Sequence, residues 1–252
     1  MFLTDGSTHY SGILNEEKTI QIMQKLNLLS AKVKRLGGTA NKADWEDEGK
    51  LYSAKHKGSL SRGSFDWVNT SKLGGIWSTW VEEFYQEAKE LAAPCCESRA
   101  DERRIQAARD LFSETSNGLL DGCSSENLKT FLNEHLVDNN RGITCVITES
   151  SKRRLFVFPL DNHPAVKMLR QGYDPILVGY ANGSRKVFFT DGTNEIDSGL
   201  RFRIALNNGV KALLGLARDR NGRKKYSYIV AKLQQDNVLK LVEQSQADIH
   251  RY

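Results

Sequence analysis

The segment "NKADWEDEGKLYSAKHKG", residues 41–58, places four carboxylates and four lysines within eighteen positions. Carboxylate oxygens are the hard ligands that Mg²⁺ prefers, and an ammonium beside them can offset charge on a phosphate or on a bound water. Two readings compete for the same residues: a solvated charged hairpin, or a metal site that faces a phosphate. The second needs Asp44 and Lys55, with Glu46 two residues beyond Asp44 on the same strand face.

Three elements would have to position these groups. "GILNEEKTIQIMQKLNLLS" carries Ile13, Ile20, Met23 and Leu26 at helical spacing. Two short strands follow, around Ala43 to Glu46 and Leu51 to Lys57, joined by "DEGK", in which Gly49 can adopt a positive φ. Alternation along the second strand sends Ser53, Lys55 and Lys57 to one face and Tyr52, Ala54 and His56 to the other. On the helix wheel Glu16 falls between Ile20 and Met23, inside the apolar arc, while Glu17 sits at its edge. A carboxylate turned toward a core needs a partner, which could be a divalent cation shared with Asp44, a buried lysine or backbone amides. The competing reading makes Glu16 a rim or capping carboxylate, since "NEEK" lies near the helix start, where acids suit the dipole.

The loop "KHKGSLSRGSFDWVNTSK" combines Lys57, Arg62 and Lys72 with Ser64, Asn69 and Thr70, a mixture suited to phosphate contacts. Phe65 and Trp67 would anchor that loop as core plugs or stack on a base. An amphipathic helix, "IWSTWVEEFYQEAKELAA", stops at Pro94, and helical segments follow near Asp101 to Phe112 and Glu126 to Val137. His135 lies on the apolar side of the last of these and reads as a core histidine. From "GITCVITES" onward the texture is that of strands separated by "NG" and "DG" turns, and a final helix starts at an Asp236 cap. Basic residues recur in this half as "KRR" at 152–154, as Arg201 with Arg203 on one strand face, and as the hairpin tip "RDRNGRKK" with Arg223 and Lys224. Such groups fit a groove for a polyanion, or else separate solvated surfaces.

The order of a helix glutamate (Glu16), a strand aspartate in "KAD" (Asp44) and a lysine in "SAK" (Lys55) resembles the PD-(D/E)xK nuclease superfamily over roughly residues 10–75. Ala43 stands where that family has its proline, and Ser53 where it has its second acid. The resemblance implies an α+β fold: a restriction-endonuclease-like core (helix, β-hairpin, helix) with a β-rich C-terminal half. Residues 1–140 would form the nuclease core, and 141–252 a β-rich part packed in the same body and contributing to DNA binding. The implied activity is Mg²⁺-dependent endonucleolytic cleavage of DNA, with Mn²⁺ as a substitute and the enzyme acting as a monomer or a homodimer. Asp44 and Glu16 would hold the metal, Glu46 and Ser53 would supplement it, and Lys55 would orient or deprotonate the attacking water. Lys57, Arg62, Ser64, Asn69, Thr70, Lys72, Arg201, Arg203, Arg223 and Lys224 would contact DNA. Two alternatives keep the basic surface: a DNA-binding or structural protein whose site has decayed at Ser53, and a nuclease that resolves branched DNA or RNA.

Composition bounds these readings. The chain has 252 residues, is 39% hydrophobic and carries a formal charge of +5, which permits a polyanionic partner without demanding one. Its four cysteines form no C-x-x-C pair, so the sequence predicts a reduced, cytoplasmic protein without structural zinc. No basic n-region precedes an apolar run and no segment reaches ~18 apolar residues, so neither secretion nor a membrane span is expected. P-loop, dinucleotide, H-E-x-x-H and G-x-S-x-G motifs do not occur.

Overall fold

The computed structural model describes residues 8–36, 42–61, 63–70, 72–92, 102–179 and 183–252. The fold is α+β, and the chain divides into two compact units. The first gathers residues 1–65, 132–172 and 237–252; the second gathers 66–131 and 173–236. The units are therefore woven from alternating segments of the chain.

In the first unit, helix α1 (Thr8–Lys25) precedes β1 (Lys34–Arg35), β2 (Trp45–Asp47) and β3 (Lys50–Lys57). The chain returns as β5 (Ile143–Glu149), β6 (Arg154–Pro159), helix α5 (Pro164–Arg170), helix α7 (Val238–Gln244) and β11 (Asp248–Arg251). The six strands form one sheet in the order β1-β2-β3-β5-β6-β11. Only the β3–β5 pair is parallel, because β3 and β5 are joined by a long excursion rather than a hairpin.

The β2–β3 hairpin closes through Glu48 (φ 49°) and Gly49 (φ 78°), two successive left-handed residues, as a two-residue turn of this twist requires. Trp45 is then opposite Tyr52, with the two rings stacked at 5.8 Å. Both enter a core with Met23, Leu29, Val146 and Leu155, on which Ile20 and Leu26 also pack. Thr19 of α1 meets Thr148 of β5 at 3.0 Å, so the helix lies over the sheet face that bears Tyr52 and Val146. The opposite face carries Cys145, Ile147, Phe156 and Phe158, all buried.

The second unit has its own five-stranded antiparallel sheet, whose order is β4-β10-β9-β8-β7. The strands are β4 (Phe65–Asn69), β7 (Asp174–Gly179), β8 (Ser184–Thr190), β9 (Glu195–Asn207) and β10 (Tyr228–Gln235). Its helices are α2 (Ser78–Ala92), α3 (Glu102–Asp121), α4 (Ser125–Leu132) and the short α6 (Gly209–Leu213). Phe202 of β9 meets Trp77 at 5.9 Å and Phe131 at 5.0 Å, while Phe84 meets Phe112 at 5.4 Å. In the amphipathic segment expected here, Trp77, just before α2, and Phe84 and Ala88 within it are buried, while Trp80 and Val81 are half-buried. The predicted Asp236 cap falls one residue early. Asn237 caps α7 by accepting from the Lys240 amide, and Asp236 pairs with Arg201 at 2.8 Å. Among the described residues no helix is long and apolar enough to cross a membrane.

Trp45 is fully buried, and its indole N–H has no hydrogen-bond partner among the described residues. Trp45→Ala is expected to cost about 3–5 kcal/mol in urea denaturation, the range for truncating a core aromatic. Trp45→Phe should cost clearly less, because it forfeits no hydrogen bond and keeps a ring against Tyr52.

Candidate functional site

The hairpin register decides which side chains share a face. With Trp45 opposite Tyr52, the residue before Trp45 comes opposite Ser53, and the Asp44 amide donates to the Tyr52 carbonyl at 2.7 Å. Asp44 Oδ2 accepts from the Ala54 amide at 2.6 Å, which pins the carboxylate beside the backbone between Ser53 and Lys55. Ser53, Lys55 and Lys57 stand in register with Cys145, Ile147 and Glu149 of β5, on the face away from α1.

Electrostatics report the same neighbourhood. Burial pushes the Cys145 thiol up to about 12, with Lys55 pulling it back and Asp44 adding to it. Burial, then the Lys55 charge, lowers the pKa of the Lys42 ammonium. Asp44, Lys55, Lys42 and Cys145 therefore form one local group, a carboxylate and two ammoniums around an inert thiol. Lys42 and Arg141 also line a depression of about 370 Å³ near the start of β5.

The other predicted ligands are placed differently. Glu16 accepts from Arg35 at 3.0 Å and Glu17 accepts from the same guanidinium at 2.8 Å, so Arg35 forks across both acids at the rim of α1. Glu16 thus has a strand arginine for a partner. Glu46 lies mid-strand opposite Leu51 and is half-buried. Asp47, in the same segment, is buried and accepts from the amide and hydroxyl of Ser30, an anchor for the loop after α1. Among the described residues no three His, Cys, Asp or Glu side chains converge on a common point, so Glu16, Asp44 and Glu46 do not form a three-acid cluster.

Of the predicted nucleic-acid contacts in the first unit, Lys57 is buried and donates to the Ser64 carbonyl at 3.4 Å, Ser64 is half-buried, and Arg62 lies outside the described residues. In the second unit Thr70 extends the β4–β10 pairing, its hydroxyl accepting from the Ala231 amide at 2.9 Å, while Asn69 and Lys72 are exposed. Trp67 is a core plug, its indole donating to Gln235 at 3.3 Å. Arg201 and Arg203 do share a face, where β8 and β10 add Lys186 and Lys232 across the register. Arg201 is paired with Asp236 and Lys186 with Asp197, while Arg203 is exposed. Arg223 and Lys224 are exposed on a hairpin tip closed by Asp219, which accepts from the amides of Asn221 and Arg223.

Two placements depart from or add to the sequence expectations. His135 sits in a π-helical turn, half-buried beside Glu134, and is not a core residue. Glu149 has no sequence signal of its own, since "ITCVITES" reads simply as a strand. It is 1% exposed, bonded by Arg154 at 2.6 Å, and stands beside Lys57 in the register.

Comparison with known protein families, with curated proteins and with solved structures finds no match. The chemistry of the site therefore rests on the geometry alone.

His56 faces α1, and burial followed by the Lys18 charge lowers its pKa from 6.5. Its folded pKa is below the unfolded one, so as pH falls below 6.5 the unfolded chain takes the proton first and stability is lost until the folded pKa is passed. Chemical denaturation between pH 7.5 and 5 should show that decline, and His56→Gln should flatten part of it.

Proposed function

We propose that the protein is a divalent-metal-dependent nuclease acting on DNA, with Asp44, Ser53 and Lys55 as its reacting centre. The observation that carries this reading is the register: one carboxylate, one hydroxyl and one lysine of the hairpin stand together on the sheet face opposite α1, Ser53 buried and Asp44 and Lys55 half-buried. The order of helix, hairpin and later helical crossover to a parallel strand supports a core of the PD-(D/E)xK kind.

Asp44 Oδ2 accepts from the Ala54 amide, and among the described residues no hydrogen bond occupies Oδ1, which could serve as a ligand. Mg²⁺ is commonly held through one or two carboxylates, with substrate phosphate and water completing its shell, so Asp44 with the Ser53 hydroxyl fits such an ion as a one-carboxylate site. When bound, that ion supplies a lowered pKa for water and charge stabilisation for the phosphate. The protein's own groups do the rest. The Ala54 amide orients Asp44, and Lys55 offsets negative charge on the phosphate undergoing attack. Exposed Lys72, Arg203, Arg223 and Lys224 support sequence-independent contact with the phosphate backbone.

The single carboxylate also favours a second reading, a DNA-binding protein whose reaction has been lost with the second acid. One experiment separates the two: supercoiled and linear DNA incubated with Mg²⁺, Mn²⁺ or EDTA. Metal-dependent nicking by wild type is expected, with Asp44→Asn abolishing it and Lys55→Met lowering the rate at least ~10²-fold, the scale for a positioned electrostatic or proton-transfer group. Both variants should bind DNA almost as well as wild type in EDTA. Binding with no cleavage by wild type on any DNA form would establish the second reading.

A further inference from the structure

Beyond the reacting centre, β3 and β5 run on in parallel and end together at an open cleft of about 780 Å³, lined by residues 56–59, Ser61, Ser150 and Ser151. The two strand ends are zipped by the Ser150 amide donating to the Lys57 carbonyl at 3.0 Å and the Ser151 amide to the Gly58 carbonyl at 2.9 Å. The cleft contains Lys57, which is only 8% exposed.

An ammonium has three donors, and burial without a counter-charge is costly. Among the described residues Lys57 Nζ makes one hydrogen bond, to the Ser64 carbonyl at 3.4 Å, long for a charged donor. The nearest acid along the register is Glu149, but its Oε2 is held by Arg154 at 2.6 Å and its Oε1 accepts from the Leu60 amide at 3.4 Å. Glu149 is paired with Arg154, and among the described residues no salt bridge reaches Lys57. Gly63, at φ 65°, lies so close that a Cβ there would be 3.3 Å from Nζ, so the loop passes tightly over the ammonium. Ser59, Ser61 and Ser151 also line the cleft, the hydroxyls of Ser59 and Ser61 bonded to each other at 2.9 Å.

We propose that this cleft binds a phosphate group, held by Lys57 and the serine hydroxyls. On the nuclease reading, on which this role rests, Lys57 lies two residues along β3 from Lys55 on the same face, about 6.6 Å away. It then holds a phosphate next to the one that faces Lys55, setting which bond of the strand is presented.

The test is binding in EDTA, so that it does not depend on cleavage, with inorganic phosphate and a short DNA duplex as separate probes. Lys57→Met should weaken duplex binding about tenfold and make the salt dependence shallower by about 0.9, one phosphate contact. Inorganic phosphate should compete with the duplex for wild type and not for the variant. Ser61→Asp and Ser151→Asp change exposed positions and should weaken both probes without altering the melting temperature, so they decide the matter if Lys57→Met does not fold. Wild-type affinity for both probes in Ser61→Asp and Ser151→Asp overturns the site. Lys57-dependent binding of inorganic phosphate with no duplex binding upholds the phosphate site and instead overturns the nucleic-acid reading.

Discussion

The stacked pair of Trp45 and Tyr52 is the contact on which the first unit depends. A strand slip of one residue turns every side chain to the other face, so burying these two rings against Met23 and Val146 fixes the hairpin register. Once they point toward α1, Ser53, Lys55 and Lys57 must point away from it. The two left-handed residues of the turn enforce the same alignment from the other end of the hairpin. Packing on one face thereby sets the chemistry of the other.

The dense charge of residues 41–58 resolves into separate tasks. Asp47 ties down the loop after α1, Glu48 occupies a turn position, and Asp44 caps the Ala54 amide beside Lys55. The lysines are spread along β3, with Lys50 exposed at the turn and Lys57 enclosed at the strand end. A hairpin charged only for solubility would have no cause to bury Lys57 or to lower the proton affinity of Lys42. Both placements cost free energy in the isolated protein, and an anionic ligand would offset that cost.

The second unit follows ordinary sheet logic. Leu200, Phe202 and Ile204 alternate inward along β9, Phe202 meeting Trp77 and Phe131, which leaves Arg201 and Arg203 on the outer face. Across the register Lys186 and Lys232 extend that outer row, but Asp197 and Asp236 neutralise half of it. Its basic character is concentrated in Arg203 and in the hairpin tip after α6.

Local pattern determined a good deal. Helical spacing marked α1 and α2, alternation marked the face shared by Ser53, Lys55 and Lys57, and Gly49 marked the turn, because each is a property of neighbours in the chain. Pairings between distant segments were decided only by the tertiary structure. β11, four residues with Ile249 largely exposed, shows no strand pattern of its own and exists because β6 offers an edge. Glu16 lay inside the apolar arc of its helix, yet Arg35, brought alongside by the β1–β2 pairing, draws it to the rim. Glu149 and Lys57 are separated by 92 positions in the chain and become neighbours through the parallel β3–β5 register. Sequence periodicity reports which face a residue occupies, whereas the identity of what it meets there depends on chain closure over long loops, which no local pattern encodes.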